Sequence, residues 1–104
     1  MDMRMQEMVR TAAARYGLSS NPVVRALDAA SELGELAKEI LKATDYGEKP
    51  LAGNEALLEE MGDCLFALLN LANSLGIDAH RALVGAMEKY EARFLARGTI
   101  SSGR

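Results

Sequence analysis

The chain has no tryptophan, one histidine, one cysteine and two prolines in 104 residues. Each scarcity removes a class of explanation. The lone Cys64 excludes an intramolecular disulfide framework and a multi-cysteine metal site, and a reducing, cytoplasmic setting is the simplest reading. The lone His80 has Ile77 three residues before it, so a ferritin-like di-iron centre lacks the Glu-x-x-His motifs it needs. Three tyrosines and two phenylalanines are the only aromatics, and β-branched residues are few. Ala and Leu dominate instead, which favours helix over sheet. No apolar run is long enough for a transmembrane helix, so no membrane partner is expected. The opening "MDMRMQEMVR" carries charges throughout and has no apolar core segment, so no signal peptide is expected in it. A formal net charge of −3 gives nucleic acid or an anionic membrane no general attraction.

What is present is helical punctuation. One domain spanning 1–104 is expected, with four helices. The first runs from about Met3 to Tyr16 and ends at Gly17. Asn21 caps the second, with Pro22 at its first position, and it continues to about Thr44. "DYGEKPLAGN" is a loop. Asn54 caps the third, about Glu55 to Leu75, which Gly76 stops. Asp78 caps the fourth, which carries Ala82, Leu83, Ala86, Met87, Tyr90 and Phe94 at helical spacing. Residues 98–104 read as a disordered polar tail. The fold class is therefore all-α and four-helix bundle-like.

The third helix is apolar around much of its circumference. Leu57, Met61, Leu65, Leu68, Ala72 and Leu75 make one stripe, and Leu58, Phe66 and Leu69 widen it. Four short helices cover such a cylinder poorly, so a second subunit, in a dimer or tetramer, is expected to pack there.

In "SELGELAKEI", Glu32, Glu35 and Glu39 recur at helical spacing, with Asp28 one turn earlier. At about 100° per residue the four acids share an arc of roughly 60°, and Leu33, Leu36, Ala37 and Ile40 lie about 90° to one side. On the third helix Glu60 and Asp63 hold the same relation to Leu57, Met61, Leu65 and Leu68. If the two helices pack antiparallel through their apolar stripes, the acidic edges meet. Like charges at this spacing cost a few tenths of a kcal/mol per pair. Either the carboxylates splay into water as ordinary solvated faces, or a cation sits among them. Oxygen ligands without His or Cys suit Mg²⁺ or Mn²⁺ rather than Zn²⁺.

"SELGELAKEI" followed by "EALLEEMGDCLFALLNLA" resembles the MazG-like nucleotide pyrophosphohydrolases. Their pattern of E-x-x-E on one helix and E-x-x-D on the next reads here as Glu32-Leu-Gly-Glu35 and Glu60-Met-Gly-Asp63. The stretch "EKYEARF" is similar to the family's K-x-x-x-R-F ending. The resemblance covers about residues 23–95. It implies an all-α, oligomeric NTP pyrophosphatase that cleaves nucleoside triphosphates to monophosphate and pyrophosphate. By the same resemblance Glu32, Glu35, Glu60 and Asp63 hold Mg²⁺. Glu59 and Glu39 share in metal binding or orient the attacking water, and Lys89 and Arg93 meet phosphate oxygens. Many members carry Trp or His near the first helix for the base. With no Trp here, Tyr16 is the nearest candidate and Asn21 a weaker one. Asn70 and Asn73, on the Asp63 side of the third helix, are candidates for sugar or base. The competing assignments are a core residue for Tyr16, surface amides for Asn70 and Asn73, and solvated charges for Lys89 and Arg93. Cys64 reads as a small core residue. Phosphoribosyl-ATP pyrophosphatase or another phosphoanhydride hydrolase is the alternative within this fold. A non-enzymatic helical dimerisation module is the alternative outside it.

Overall fold

The computed structural model describes residues 3–102. It contains four α-helices: α1 (Arg4–Arg15), α2 (Pro22–Ala43), α3 (Glu55–Ser74) and α4 (Ala79–Arg97), with no strand among the described residues. The caps are those the sequence signals. Asn21 Oδ1 accepts the Val23 N–H at 2.9 Å, with Pro22 at the first helical position. Asn54 Oδ1 accepts the Leu57 N–H at 2.9 Å, and Asp78 Oδ1 accepts the Arg81 N–H at 3.1 Å. Gly17 (φ 68°) and Gly76 (φ 67°) turn the chain after α1 and α3 in the left-handed region that glycine adopts without a Cβ clash. Of the expected tail, Gly98 to Ser102 are described. The Ile100 and Ser101 carbonyls accept from Arg93 and Arg97 of α4, and residues 103–104 lie outside the described region.

α2 and α3 form an antiparallel pair, and α1 packs on α3. The seam between α2 and α3 differs from the expected one. The apolar stripes are buried only in part, Leu36 being buried and Leu57 half-buried, and the acid-bearing edges lie at the seam. Leu33 is 62% exposed and Leu58 68%, whereas Glu32 and Glu60 are half-buried. Cys64 sits on that edge and donates to the Glu32 carbonyl across the seam. Most of the bulky Leu and Met side chains of the two stripes are exposed, Leu36 excepted. Among the described residues, only Val9, Leu36 and Ala67 are buried apolar side chains.

α4 buries none of its residues, and its stripe of Leu83, Met87 and Phe94 is exposed. The chain is accordingly open. Its radius of gyration is 16.6 Å, against about 13 Å for a compact chain of this length. Its accessible surface is 7648 Å², about a third more than a compact monomer of this mass exposes.

A buried glutamine fixes where α4 starts. Gln6 of α1 is 3% exposed. Its Nε2 donates to the Ile77 carbonyl at 2.6 Å and to Asn73 Oδ1 at 3.1 Å, and its Oε1 accepts the Ala79 N–H at 2.8 Å. Asn73 Nδ2 in turn donates to the Gln6 carbonyl at 3.2 Å. One side chain thus satisfies the orphan groups of the α3–α4 turn and ties that turn to α1.

Candidate metal centre

The acidic seam brings three of the expected carboxylates together. One oxygen each from Glu32, Glu60 and Asp63 lies within 4.8 Å of the others, with Glu32 and Glu60 half-buried and Asp63 exposed. The register is locked beside them by Cys64, whose thiol donates to the Glu32 carbonyl at 3.1 Å. Helical spacing explains the grouping. Glu60 and Asp63 are one turn apart on α3, and Glu32 is the residue of α2 that points at that turn.

The electrostatics are those of a site with no counter-charge. Burial raises the Glu32 carboxyl above the usual carboxylate range, and the charges of Asp63, Asp28 and Glu35 raise it further. Burial also raises Glu60, followed by Asp63, Glu35, Glu32 and Glu39. No cation stands among these influences. The Cys64 thiol is pushed up as well, first by burial and then by Glu32, Glu60 and Asp63. That suits a small seam residue and not a nucleophile.

The remaining candidates fall at different distances from this centre. Glu35 is exposed and outside the trio, yet its charge is felt at both Glu32 and Glu60. Glu39 is half-buried, lies 3.7 Å from Lys42 Nζ and is felt at Glu60. Glu59 is exposed and is not among the charges felt at Glu32 or Glu60. Lys89 and Arg93 ride on α4, away from the seam: Lys89 Nζ sits 5.3 Å from the Tyr90 ring centroid, and Arg93 donates to the Ile100 carbonyl at 3.2 Å. Tyr16 is 66% exposed at the end of α1 and is not a core residue. Asn70 is buried at 5% exposure.

Three polar residues were not singled out by the sequence pattern. Gln6 is the clasp described above. Arg25 lies on the same face of α2 as Glu32, two turns earlier. Its side chain is 11% exposed, one guanidinium nitrogen is 4.0 Å from Asp28, and its Nε is buried without a hydrogen-bond partner. Its seven-residue spacing from Glu32 was the available signal. Arg10 of α1 pairs with Glu7 and donates to Asn73 Oδ1 at 3.0 Å.

The donor set fits a hard divalent cation. Its oxygens are carboxylate only, and they converge.

The model of the MazG nucleotide pyrophosphohydrolase domain matches residues 24–95, which includes every acid of the centre and both Lys89 and Arg93. The chain belongs to this family. YpjD of Bacillus subtilis (strain 168) is 45% identical over 71 residues, 65% of this chain and 62% of that protein. The nucleoside triphosphate pyrophosphohydrolase of Escherichia coli (strain K12) is 42% identical over 66 residues, 60% of this chain and 25% of that protein. The protein of the same name from Escherichia coli O157:H7 gives the same figures. The chain thus matches under two thirds of YpjD's length and a quarter of the Escherichia coli proteins' length. No solved structure matches it. Among the described residues no helix is long and apolar enough to cross a membrane.

Proposed function

We propose that this chain is the subunit of a homo-oligomeric, Mg²⁺-dependent hydrolase that splits nucleoside triphosphates into monophosphate and pyrophosphate, with Mn²⁺ as a substitute metal. One observation carries the reading. Two packed helices bring Glu32, Glu60 and Asp63 together at one seam, where burial and like charge raise Glu32 and Glu60. Such a seam costs stability unless a ligand repays it.

Glu32, Glu60 and Asp63 would hold the metal, with Glu35 as a further ligand. When bound, it would screen the triphosphate's charge and favour deprotonation of the attacking water. The protein's own groups do the rest. Glu39, half-buried and coupled to Glu60, takes the proton of the attacking water; Glu59, exposed and apart from the coupled acids, is the weaker candidate. Lys89 and Arg93 neutralise the leaving pyrophosphate.

The last role needs assembly. The surplus surface of the single chain matches what a large, permanent interface removes from water. On α3, Leu58, Met61, Leu65, Leu68, Ala72 and Leu75 follow alternating steps of three and four, as do Leu83, Met87, Tyr90 and Phe94 on α4. Both are the spacing of helices that pack side by side in a bundle. A second copy laid on these stripes closes the bundle and carries basic α4 residues toward the carboxylates.

The test is pyrophosphate release from a panel of nucleoside triphosphates, with Mg²⁺, with Mn²⁺ and with chelator. Release that needs the metal and disappears in Glu60→Gln supports the reading. A panel with no turnover at all overturns it.

A further inference from the structure

Glu32 has a carboxylate one turn away on either side along α2, Asp28 four residues before it and Glu35 three after. Both spacings bring side chains together on one helix face. The two acids are placed differently. Glu35 is felt at Glu32 and at Glu60, whereas Asp28 is felt at Glu32 and not at Glu60. Asp28 thus stands on the N-terminal side of Glu32, and it does not join the cluster that Glu32, Glu60 and Asp63 form. The function proposed above gives it no task.

Arg25 accounts for its position. One guanidinium nitrogen lies 4.0 Å from Asp28 Oδ2, and the Arg25 side chain is 11% exposed against 41% for Asp28. The Arg25 Nε is buried with no hydrogen-bond partner. A guanidinium withdrawn that far from water needs an opposite charge nearby. Among the described residues Asp28 is the acid within ion-pair distance of it. Arg25 precedes Asp28 by one turn, so its pull runs along α2 away from Glu32. Burial restricts the Arg25 side chain to few rotamers, so the pull keeps its direction.

Freed from Arg25, Asp28 would be within reach of a cation held by Glu32, because side chains at i and i+4 meet on a helix. One carboxylate more would bind the cation more tightly and fill a coordination place that Mg²⁺ otherwise keeps for water. A hydrolase needs that place open.

Building on the metal reading above, we propose that Arg25 is a positioning residue that holds Asp28 off the metal and so keeps the carboxylate count of the centre low.

A double-mutant cycle on Mn²⁺ binding tests this with no nucleotide present. Free Mn²⁺ is read by its electron paramagnetic resonance signal in wild type, Asp28→Asn, Arg25→Met and the double variant. Asp28→Asn should leave the wild-type affinity within about threefold, because Asp28 is not a ligand while Arg25 is in place. Arg25→Met should tighten binding about tenfold or more, and adding Asp28→Asn should cancel that gain. A charge acting only at a distance would give Asp28→Asn the same effect in both backgrounds, and that result overturns the proposal. An Arg25→Met protein with unchanged or weaker Mn²⁺ affinity also overturns it, as would follow if the guanidinium served a substrate phosphate instead. Should Arg25→Met fail to fold, Asp28→Asn still decides: a loss of about tenfold in that single variant makes Asp28 a ligand beside an intact Arg25 and overturns the proposal. A wild type that binds no Mn²⁺ overturns both this inference and the metal centre. A protein that binds Mn²⁺ and releases pyrophosphate without the coupling keeps the proposed function and loses this inference. One that shows the coupling but hydrolyses no triphosphate keeps this inference and loses the proposed function.

Discussion

Glu32 of α2 faces Asp63 of α3 across a helical seam, with carboxylate oxygens of the two within 4.8 Å and Glu60 in the same cluster. Much of each helix's apolar stripe stays outward, though Leu36 is buried. Burial raises Glu32 and Glu60 first, and like charges raise both further. That makes the seam's response to metal, pH and mutation predictable.

The pH dependence has a definite sign. Glu32 and Glu60 hold protons more tightly folded than unfolded, so the unfolded chain binds fewer protons wherever they titrate. Their contribution favours the folded state at low pH. It is lost as pH rises from the ordinary carboxylate range through their raised folded values. In EDTA, Glu60→Gln should gain melting temperature relative to wild type as pH climbs through that window, and the gap should level off above it. Thermal melts of both proteins between pH 4 and 8 check this. A gap of constant size would mean that Glu60 carries no such strain.

Gln6→Ala should be among the most damaging single substitutions outside the seam. It strands the Ile77 carbonyl and the Ala79 N–H and removes a bond to Asn73. Orphaning buried polar groups at about 1–3 kcal/mol each gives a loss of about 2–4 kcal/mol. Urea unfolding measures it, and Gln6→Glu should fail to rescue, since a carboxylate cannot donate to Ile77.

How far this molecule could be read from its sequence follows from how local each feature is. The four helices and the Asn21, Asn54 and Asp78 caps are set by neighbours within four residues, and they stand where the pattern signals them. The convergence of Glu32, Glu60 and Asp63 was legible for the same reason, once an antiparallel pair was assumed. The periodicity of α2 and α3 also told which residues share a face. It did not tell which edge lies at the seam, because that depends on contacts between residues far apart in sequence, such as Cys64 with the Glu32 carbonyl. The Gln6 clasp joins groups 67 to 73 residues apart, and the bond from Arg10 to Asn73 depends on α1 lying on α3. Such pairings leave no trace in spacing. Tyr16, which spacing put on an apolar side of α1, is exposed because α1 ends there.

Assembly is open to direct measurement. Light scattering at micromolar protein should give at least twice the subunit mass. Leu68→Glu, at an exposed position on the outward stripe of α3, should lower that mass. In a protein that works as a monomer the same substitution would change little, because surface replacements of that kind usually stay within about 0.5 kcal/mol.

Lys89→Ala separates a phosphate contact from a solvated charge. Lys89 is exposed and meets only the Tyr90 ring, so the melting temperature should hold. A lost charge-assisted contact of about 1.5–3 kcal/mol corresponds to a fall of roughly 10- to 100-fold in kcat/KM. An unchanged kcat/KM would return Lys89 to the solvent.

The most direct test of the central claim is the melting temperature of wild type and Glu35→Gln across a Mg²⁺ titration, read beside pyrophosphate release. Glu35 is exposed and its charge reaches both Glu32 and Glu60. Without metal, the glutamine variant should melt at the same temperature as wild type or slightly above it, because one repelling charge is gone. With Mg²⁺, wild type should gain stability in step with RT ln(1 + [L]/Kd). The variant should lose most of that gain and nearly all turnover. Equal Mg²⁺-induced shifts in the two proteins would contradict Glu35 as a metal ligand, and no shift in either would contradict the metal centre itself.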